Sequence, residues 1–206
     1  LTVVDEITGL GLNAVTYAMQ GMDTLHYTVS IPFAMNSIVK YRYIRQATIP
    51  VMEDDSFDKP VRYRIYHVTG PGTVEDVVAS WSDSLFSGAS GRLTGKVLDF
   101  TNNAPLSNIL VTAGGQQTLT DSTGSFIIES LPVGTHNLVA YAIDGAFQTF
   151  QQGAKVEAGL HTPVALSLTP AQMVNVIFII SVPDNTIQNA PIRLAGNLVQ
   201  LGNTFG

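Results

Sequence analysis

The chain contains no cysteine and a single tryptophan, Trp81. Without thiols it has neither disulfides nor thiolate metal sites, although an extracellular location stays open. Charge is scarce: Asp, Glu, Lys and Arg make up 13% of the residues, and the net charge is −6. Nucleic acid is thereby excluded as the main partner, because phosphate contacts need a basic surface. Few charges and a positive mean hydropathy leave few solvated faces, which suits a chain that buries surface in its neighbours. No Asn-X-Ser/Thr sequence occurs, so glycosylation of that kind is not expected. No long 3.6-residue apolar period with helix caps is present either, which makes the chain all-β. Leu1 is not followed by a charged and then apolar leader, and Leu201 to Gly206 ends in a loop. Both ends therefore read as cut, as in a processed product or a piece of a longer chain.

The longest apolar run is Met173 to Val182, Met-Val-Asn-Val-Ile-Phe-Ile-Ile-Ser-Val. It is about half of what a membrane-crossing helix needs. Val174, Val176, Phe178, Ile180 and Val182 share one alternating face, and Met173, Ile177 and Ile179 the other. Such a run reads as a strand buried on both sides. Each large apolar side chain gains roughly 1.5–3 kcal/mol on burial. One more clear strand follows, Pro191 to Ala195, with Ile192 and Leu194 on one face. Two strands cannot bury this run, since an isolated hairpin is marginal. It needs a partner from the start of this chain or from another copy.

At the N-terminal end, 1–11 is ambiguous. From Asn13 the alternation is clean, with Val15, Tyr17 and Met19 on one side. Leu25, Tyr27, Val29 and Ile31 then alternate with Thr24, His26, Thr28 and Ser30, and Pro32 ends the strand. Val39/Tyr41/Tyr43 against Lys40/Arg42, and Val61/Tyr63/Ile65 against Arg62/Arg64/Tyr66, give two more strands. Residues 74–81 form a last strand or short helix. The Ser/Gly-rich stretch from Ser84 to Gly91 reads as a linker. Beyond it, Leu93–Leu98, Ile109–Thr112, Ser125–Ile128, Asn137–Tyr141 and Val164–Leu168 are short strands separated by Asn/Asp/Gly/Pro turns, the spacing of a β-sandwich.

Gly95-Lys96-Val97-Leu98-Asp99, Ala104-Pro105-Leu106-Ser107-Asn108-Ile109, Thr120-Asp121-Ser122-Thr123-Gly124-Ser125-Phe126 and Leu131-Pro132-Val133-Gly134 carry a resemblance to the carboxypeptidase regulatory-like (transthyretin-like) domain over 92–169. That resemblance implies a small β-sandwich spacer or adhesive module without catalytic residues. The flanks resemble a starch-binding (family 20 carbohydrate-binding) sandwich in the wrong order. Ile180-Ser181-Val182-Pro183, Ile192-Arg193-Leu194-Ala195-Gly196-Asn197 and Leu201-Gly202-Asn203 look like its front. Leu25 to Pro32, Val39 to Tyr43, Met52-Glu53, Val61 to Arg64 and Val74 to Trp81 look like its back. The resemblance implies a sugar platform of two tryptophans, but Met52 and Thr204 stand where the family has them, and Trp81 reads as core. The expected organisation is two β-sandwich domains, one of them split. Residues 1–86 form the back of the split sandwich and 87–91 a linker. Residues 92–169 form the complete domain, and 172–206 the front strands.

Glu53, Asp54, Asp55 and Asp58 offer carboxylate oxygens to a hard cation, so calcium is the one candidate cofactor; the plain alternative is a solvated acidic loop. His26, His67, His136 and His161 are scattered and read as ordinary strand or loop residues. Lys40, Arg42, Arg45, Lys59, Arg62 and Arg64 gather basic charge on two strands, either a solvated face or a contact with an acidic neighbour. Gly88-Ala89-Ser90-Gly91 misses the nucleophile-elbow spacing by one residue, and neither Gly9-X-Gly11 nor Gly70-X-Gly72 has the third glycine of a nucleotide loop. No acid/base pair or nucleophile constellation is visible, so no enzyme is expected. The leading expectation is a structural subunit or repeat of an extracellular or cell-surface filament. Its partners are copies of itself or adjacent repeats, joined head to tail through 173–195. The alternative is a carbohydrate-binding module that takes a surface glycan.

Overall fold

The structure is a computed structural model that describes residues 2–3, 15–187 and 191–194. The described residues are all-β. The N-terminal part holds β1 (Thr2–Val3), β2 (Gln20–Gly21), β3 (Tyr27–Thr28), β4 (Ile38–Arg42), β5 (Ile44–Arg45), β6 (Val51–Asp54), β7 (Arg64–His67) and β8 (Ser80–Trp81). The following part holds β9 (Ser90–Asp99), β10 (Ile109–Ala113), β11 (Gln116–Leu119), β12 (Ser125–Pro132), β13 (Gly134–Ala142), β14 (Phe150–Val156) and β15 (His161–Leu168).

The region from Ser90 to Leu168 is a sandwich of two sheets, ordered β11-β10-β13-β14 and β12-β9-β15. Alternation drives it. In β9, Leu93 and Val97 point inward; in β13, Leu138, Ala140 and Ala142 do. They meet Val111, Phe126, Leu131, Val156, Leu166 and Leu168 in one continuous core. The predicted turns are where their chemistry demands. The Asp121 carboxylate accepts bonds from the Thr123 and Ser125 amides at 2.8 and 2.9 Å. The Thr123 hydroxyl and these amides hold the Asp121 carboxyl below its ordinary range. Gly124 follows at φ 71°, where an added Cβ would stand 2.6 Å from the Val97 carbonyl oxygen. β9 starts at Ser90, so Ser90 and Gly91, expected in the linker, are ladder residues paired with Pro132 and Leu131.

The N-terminal part is built differently. Its sheets are β1-β4-β7, β5-β6-β8 and the two-stranded β2-β3. Among the described residues its buried cluster is Val39, Tyr41 and Val68, with Tyr43, Tyr66 and Val74 packed against them, and Val61 and Ile65 are buried apart from it. Several expected strands are shorter than their alternation. Residues 15–19 carry no strand, and of Leu25–Ile31 only Tyr27–Thr28 pairs. Of 74–81 only Ser80–Trp81 does. The physical reason is the same in each case: alternation prepares a strand, but only a neighbouring ladder holds it. Asn13 and Ala14 lie outside the described residues, as do 4–11.

The run 173–182 shows the same effect most strongly. It carries no strand, and its side chains face solvent. The expected burial on both sides is not met within this chain, because no strand lies beside it among the described residues. Pro191 to Leu194 likewise carries no strand. Ala195 and the Gly196-Asn197 and Leu201-Gly202-Asn203 segments lie outside the described residues, as does Thr204.

Candidate assembly site

All the residues singled out for assembly are exposed. Val174, Val176, Phe178 and Ile180 on one alternating face are 60–73% exposed, and Ile177 and Ile179 on the other reach 85% and 91%. Val182, Ile192 and Leu194 are about half exposed. Between Ala158 and Pro183 the sequence contains no charged residue. The run therefore has no group that burial would strand as an unpaired charge; its polar side chains are Asn175 and Ser181.

Opposite in character is the centre of the N-terminal part, which encloses an ionic network that the sequence reading did not find. Arg64 starts β7 and is buried, as is Glu53 on β6. The Arg64 guanidinium meets the Glu53 carboxylate at 2.8 Å and the Asp76 carboxylate at 3.1 Å, and donates to the Val77 carbonyl oxygen at 3.0 Å. The Tyr41 and Tyr43 hydroxyls donate to the same Asp76 oxygen at 2.6 and 3.0 Å. The Tyr43 amide donates to Glu53 at 2.8 Å. Burial alone opposes the charge on Arg64, but the two carboxylates outweigh it and raise its pKa above the ordinary value. Burial, reinforced by Asp76, raises both tyrosine hydroxyls. The expected solvated face Arg62/Arg64/Tyr66 is thus corrected: its middle member lies in the interior, between two sheets. A carboxylate and an arginine on facing strands of alternating sequence are the signal that pairs them, visible only once the register is known.

This arrangement also settles where the acidic residues point. Glu53 faces Arg64. The Asp55 carboxylate accepts the Phe57 and Lys59 amides at 2.8 and 3.0 Å, and Asp58 accepts the Phe86 amide at 2.8 Å. Asp54 is buried with one oxygen unpartnered, and burial with Asp55 and Asp58 nearby raises its pKa. Among the described residues no three carboxylate or imidazole groups converge as a metal site. Trp81, expected in the core, is half-buried, and Arg45 stacks over its ring with the guanidinium 5.7 Å from the centroid. Met52 is half-buried beside it on β6. No flat aromatic pair forms there.

The outer edge of β7 is closed by the following module. Gln151 on β14 mimics a strand: its carbonyl accepts the His67 amide at 3.0 Å and its amide donates to the His67 carbonyl at 2.8 Å. Asn137 donates to the Ile65 carbonyl at 3.0 Å and Gln117 to that of Tyr63 at 3.4 Å. Polar residues at the outward positions of β11, β13 and β14 are thus the connectors between the two modules. The ideal Cβ position of Gly134, at φ 143°, lies 2.8 Å from Val77, so only glycine lets the modules approach there. The gap between them is about 10 Å³, room for a single water.

Comparison with known proteins agrees on one module. Residues 92–169 match the family model of the carboxypeptidase regulatory-like domain, the span expected from the sequence. No curated protein matches the chain. Among solved structures, a minor pilin of the gram-positive pathogen Streptococcus agalactiae is 15% identical over 46% of this chain and 50% of its own, with a TM-score of 0.36. A putative carbohydrate binding protein from Bacteroides uniformis is 18% identical over 40% of this chain and 43% of its own, at 0.32. A streptococcal ancillary pilin is 13% identical over 76% of this chain and 51% of its own, at 0.33. The chain spans about half the length of these structures, and at such scores none of them bears on function.

Proposed function

We propose that this chain is a non-enzymatic structural unit of an extracellular or cell-surface filament, in which residues 173–195 of one unit complete the unfinished N-terminal sandwich, 1–86, of the next. The observation that carries this reading is the exposed, uncharged run 173–182 in the same molecule as an N-terminal part with only a small buried cluster. Strand addition supplies main-chain bonds for affinity and apolar pockets for register. A head-to-tail contact that does not close on itself yields an open polymer. The regulatory-like module then acts as the spacer between joints, and its amide contacts to β7 make spacer and acceptor move as one piece. The starch-binding resemblance of the flanks describes the architecture of the joint under this reading and supplies no sugar site.

Electron microscopy of the native material, with intact mass on the same sample, tests it. Filaments whose units weigh about the 22.0 kDa of this chain are expected for separate subunits. Filaments of far larger chains would make this sequence one period of a covalent repeat. Discrete monomers of this mass at high concentration would refute assembly.

A further inference from the structure

Resting on the filament reading, we infer that the incoming run 173–182 pairs with one particular part of its neighbour, the segment 25–31. The joint is then a new strand pair between two copies of this chain. Of the segments whose strand patterns the structure leaves unmet, two bear on the joint. One is 173–182. The other is 25–31, whose alternation promises a strand through Leu25, Tyr27, Val29 and Ile31. Only Tyr27–Thr28 is held, by the two-residue strand β2. Leu25 is 83% exposed and Tyr27 60%, and Met35 just beyond is equally open.

Charge singles out the same pair. From Thr24 to Val39 the sequence has no Asp, Glu, Lys or Arg, as from Ala158 to Pro183. His26 is the one histidine in the stretch, and it bonds Asp23 at 2.7 Å in the turn before it. Two uncharged strands can close on each other without stranding a charge in the interface. The uncharged stretch 15–22 shares this character, but it already supplies β2, the strand that holds Tyr27–Thr28. The other edges of the described residues suit the run less. The outer edge of β7 is capped by Gln151 and Asn137. β12 carries Glu129 at its exposed face, β14 carries Lys155, and the edge strand β15 contains Pro163, which cannot donate to a ladder. In the 92–169 module the exposed Leu119 and Ile143 share one shallow hollow with Leu106 and Phe147, and Asp144 at its rim would be stranded there by an uncharged strand. An extended strand rises about 3.3 Å per residue, so the seven-residue segment 25–31 is spanned in full by the ten-residue run.

Hydrogen exchange of the full chain, read by mass spectrometry below and above the concentration at which it assembles, tests the pairing. Exchange is expected to slow about tenfold or more in peptides covering 173–182 and 25–31 together, with 92–169 unchanged. The absence of native cysteine allows a direct check. Thr28→Cys combined in turn with Asn175→Cys, Ile177→Cys and Ile179→Cys is expected to give an interchain disulfide ladder in at least one combination. Glu129→Cys with the same set should give none. Protection of 173–182 without 25–31, or ladders only through Glu129→Cys, would overturn the assigned partner while the filament reading stands. No protection of 173–182 at any concentration would overturn the filament reading itself. Protection of both segments in dilute monomer, with an intrachain disulfide, would show closure within one chain and overturn both.

Discussion

The two parts of this molecule use similar apolar alternation to opposite effect. In the 92–169 module the alternating residues of both sheets close on each other and bury fifteen side chains in one cluster. In the N-terminal part the corresponding cluster has three among the described residues, and the centre is an arginine between two carboxylates, one of which also accepts two tyrosine hydroxyls. The first module is finished by its own strands. The second holds itself by a polar lock and by the amide contacts of its neighbour, while Val15, Met22, Leu25, Tyr27 and Met35 and the run 173–182 stay exposed. Apolar alternation is therefore a demand for a partner, and the difference between the parts is whether the chain itself meets it.

The largest effect should come from the unmet side. Val176→Ser, Phe178→Ser and Ile180→Ser combined remove three burials worth roughly 1.5–3 kcal/mol each, together roughly 5–9 kcal/mol of joint stability. The critical concentration for assembly, followed by light scattering, is expected to rise at least about a thousandfold. The melting temperature of the dilute chain should not move, because these side chains are exposed there. A large loss of monomer stability would break the comparison by showing that the run is buried within its own chain.

The polar lock is the next test. Arg64→Ala leaves Glu53 and Asp76 buried without their cation and should cost about 3–5 kcal/mol, measured by urea unfolding. Adding Glu53→Gln should return part of that loss, since it removes one of the two stranded charges. The finished core offers a matched contrast. Leu138→Ala, at a side chain with no exposure, should cost about 2–5 kcal/mol in the monomer, while Leu25→Ala should stay within about 0.5 kcal/mol. Equal costs at the two leucines would remove the distinction between a met and an unmet strand.

How much of this could be read from residues alone follows the same line. The five strands expected between Leu93 and Leu168 are all present, because their periods are complete and their partners lie in the same module. β11 and β14 are not legible in the same way, since they are edge strands with polar outward residues. Their Gln117 and Gln151 serve the junction with β7, and only the Ala154/Val156 alternation betrays a strand. Arg64 reads as solvent-facing because alternation reports two faces and not which of them is covered. Here both are: Ile65 is buried on one side of β7 and Arg64 on the other. The acidic stretch was legible as acidic, but the fate of each carboxylate depends on register, turn geometry and Phe86, far along the chain.

The smallest expected effect probes the junction between the parts. His136 sits on β13 with no exposure, donating from Nε2 to the Pro132 carbonyl at 2.7 Å, while Nδ1 has no partner. Burial depresses its pKa below 6.5, the Pro132 bond opposing; Arg64 lowers it further and Asp76 raises it. The fold therefore prefers the neutral ring. Above about pH 6.5 both folded and unfolded chains carry it neutral, and the stability is complete. Below that value the unfolded chain binds a proton that the fold refuses, so stability falls until pH passes the depressed folded value, then levels. The slope from this one group is at most about 1.4 kcal/mol per pH unit. Urea unfolding between pH 7 and 5 should show that loss in the native sequence. It should be smaller in His136→Gln, which keeps a side-chain N–H for Pro132 and has no proton to take up. If the two profiles run parallel, the imidazole is not closed off from water, and the junction is looser than the rest of the finished module.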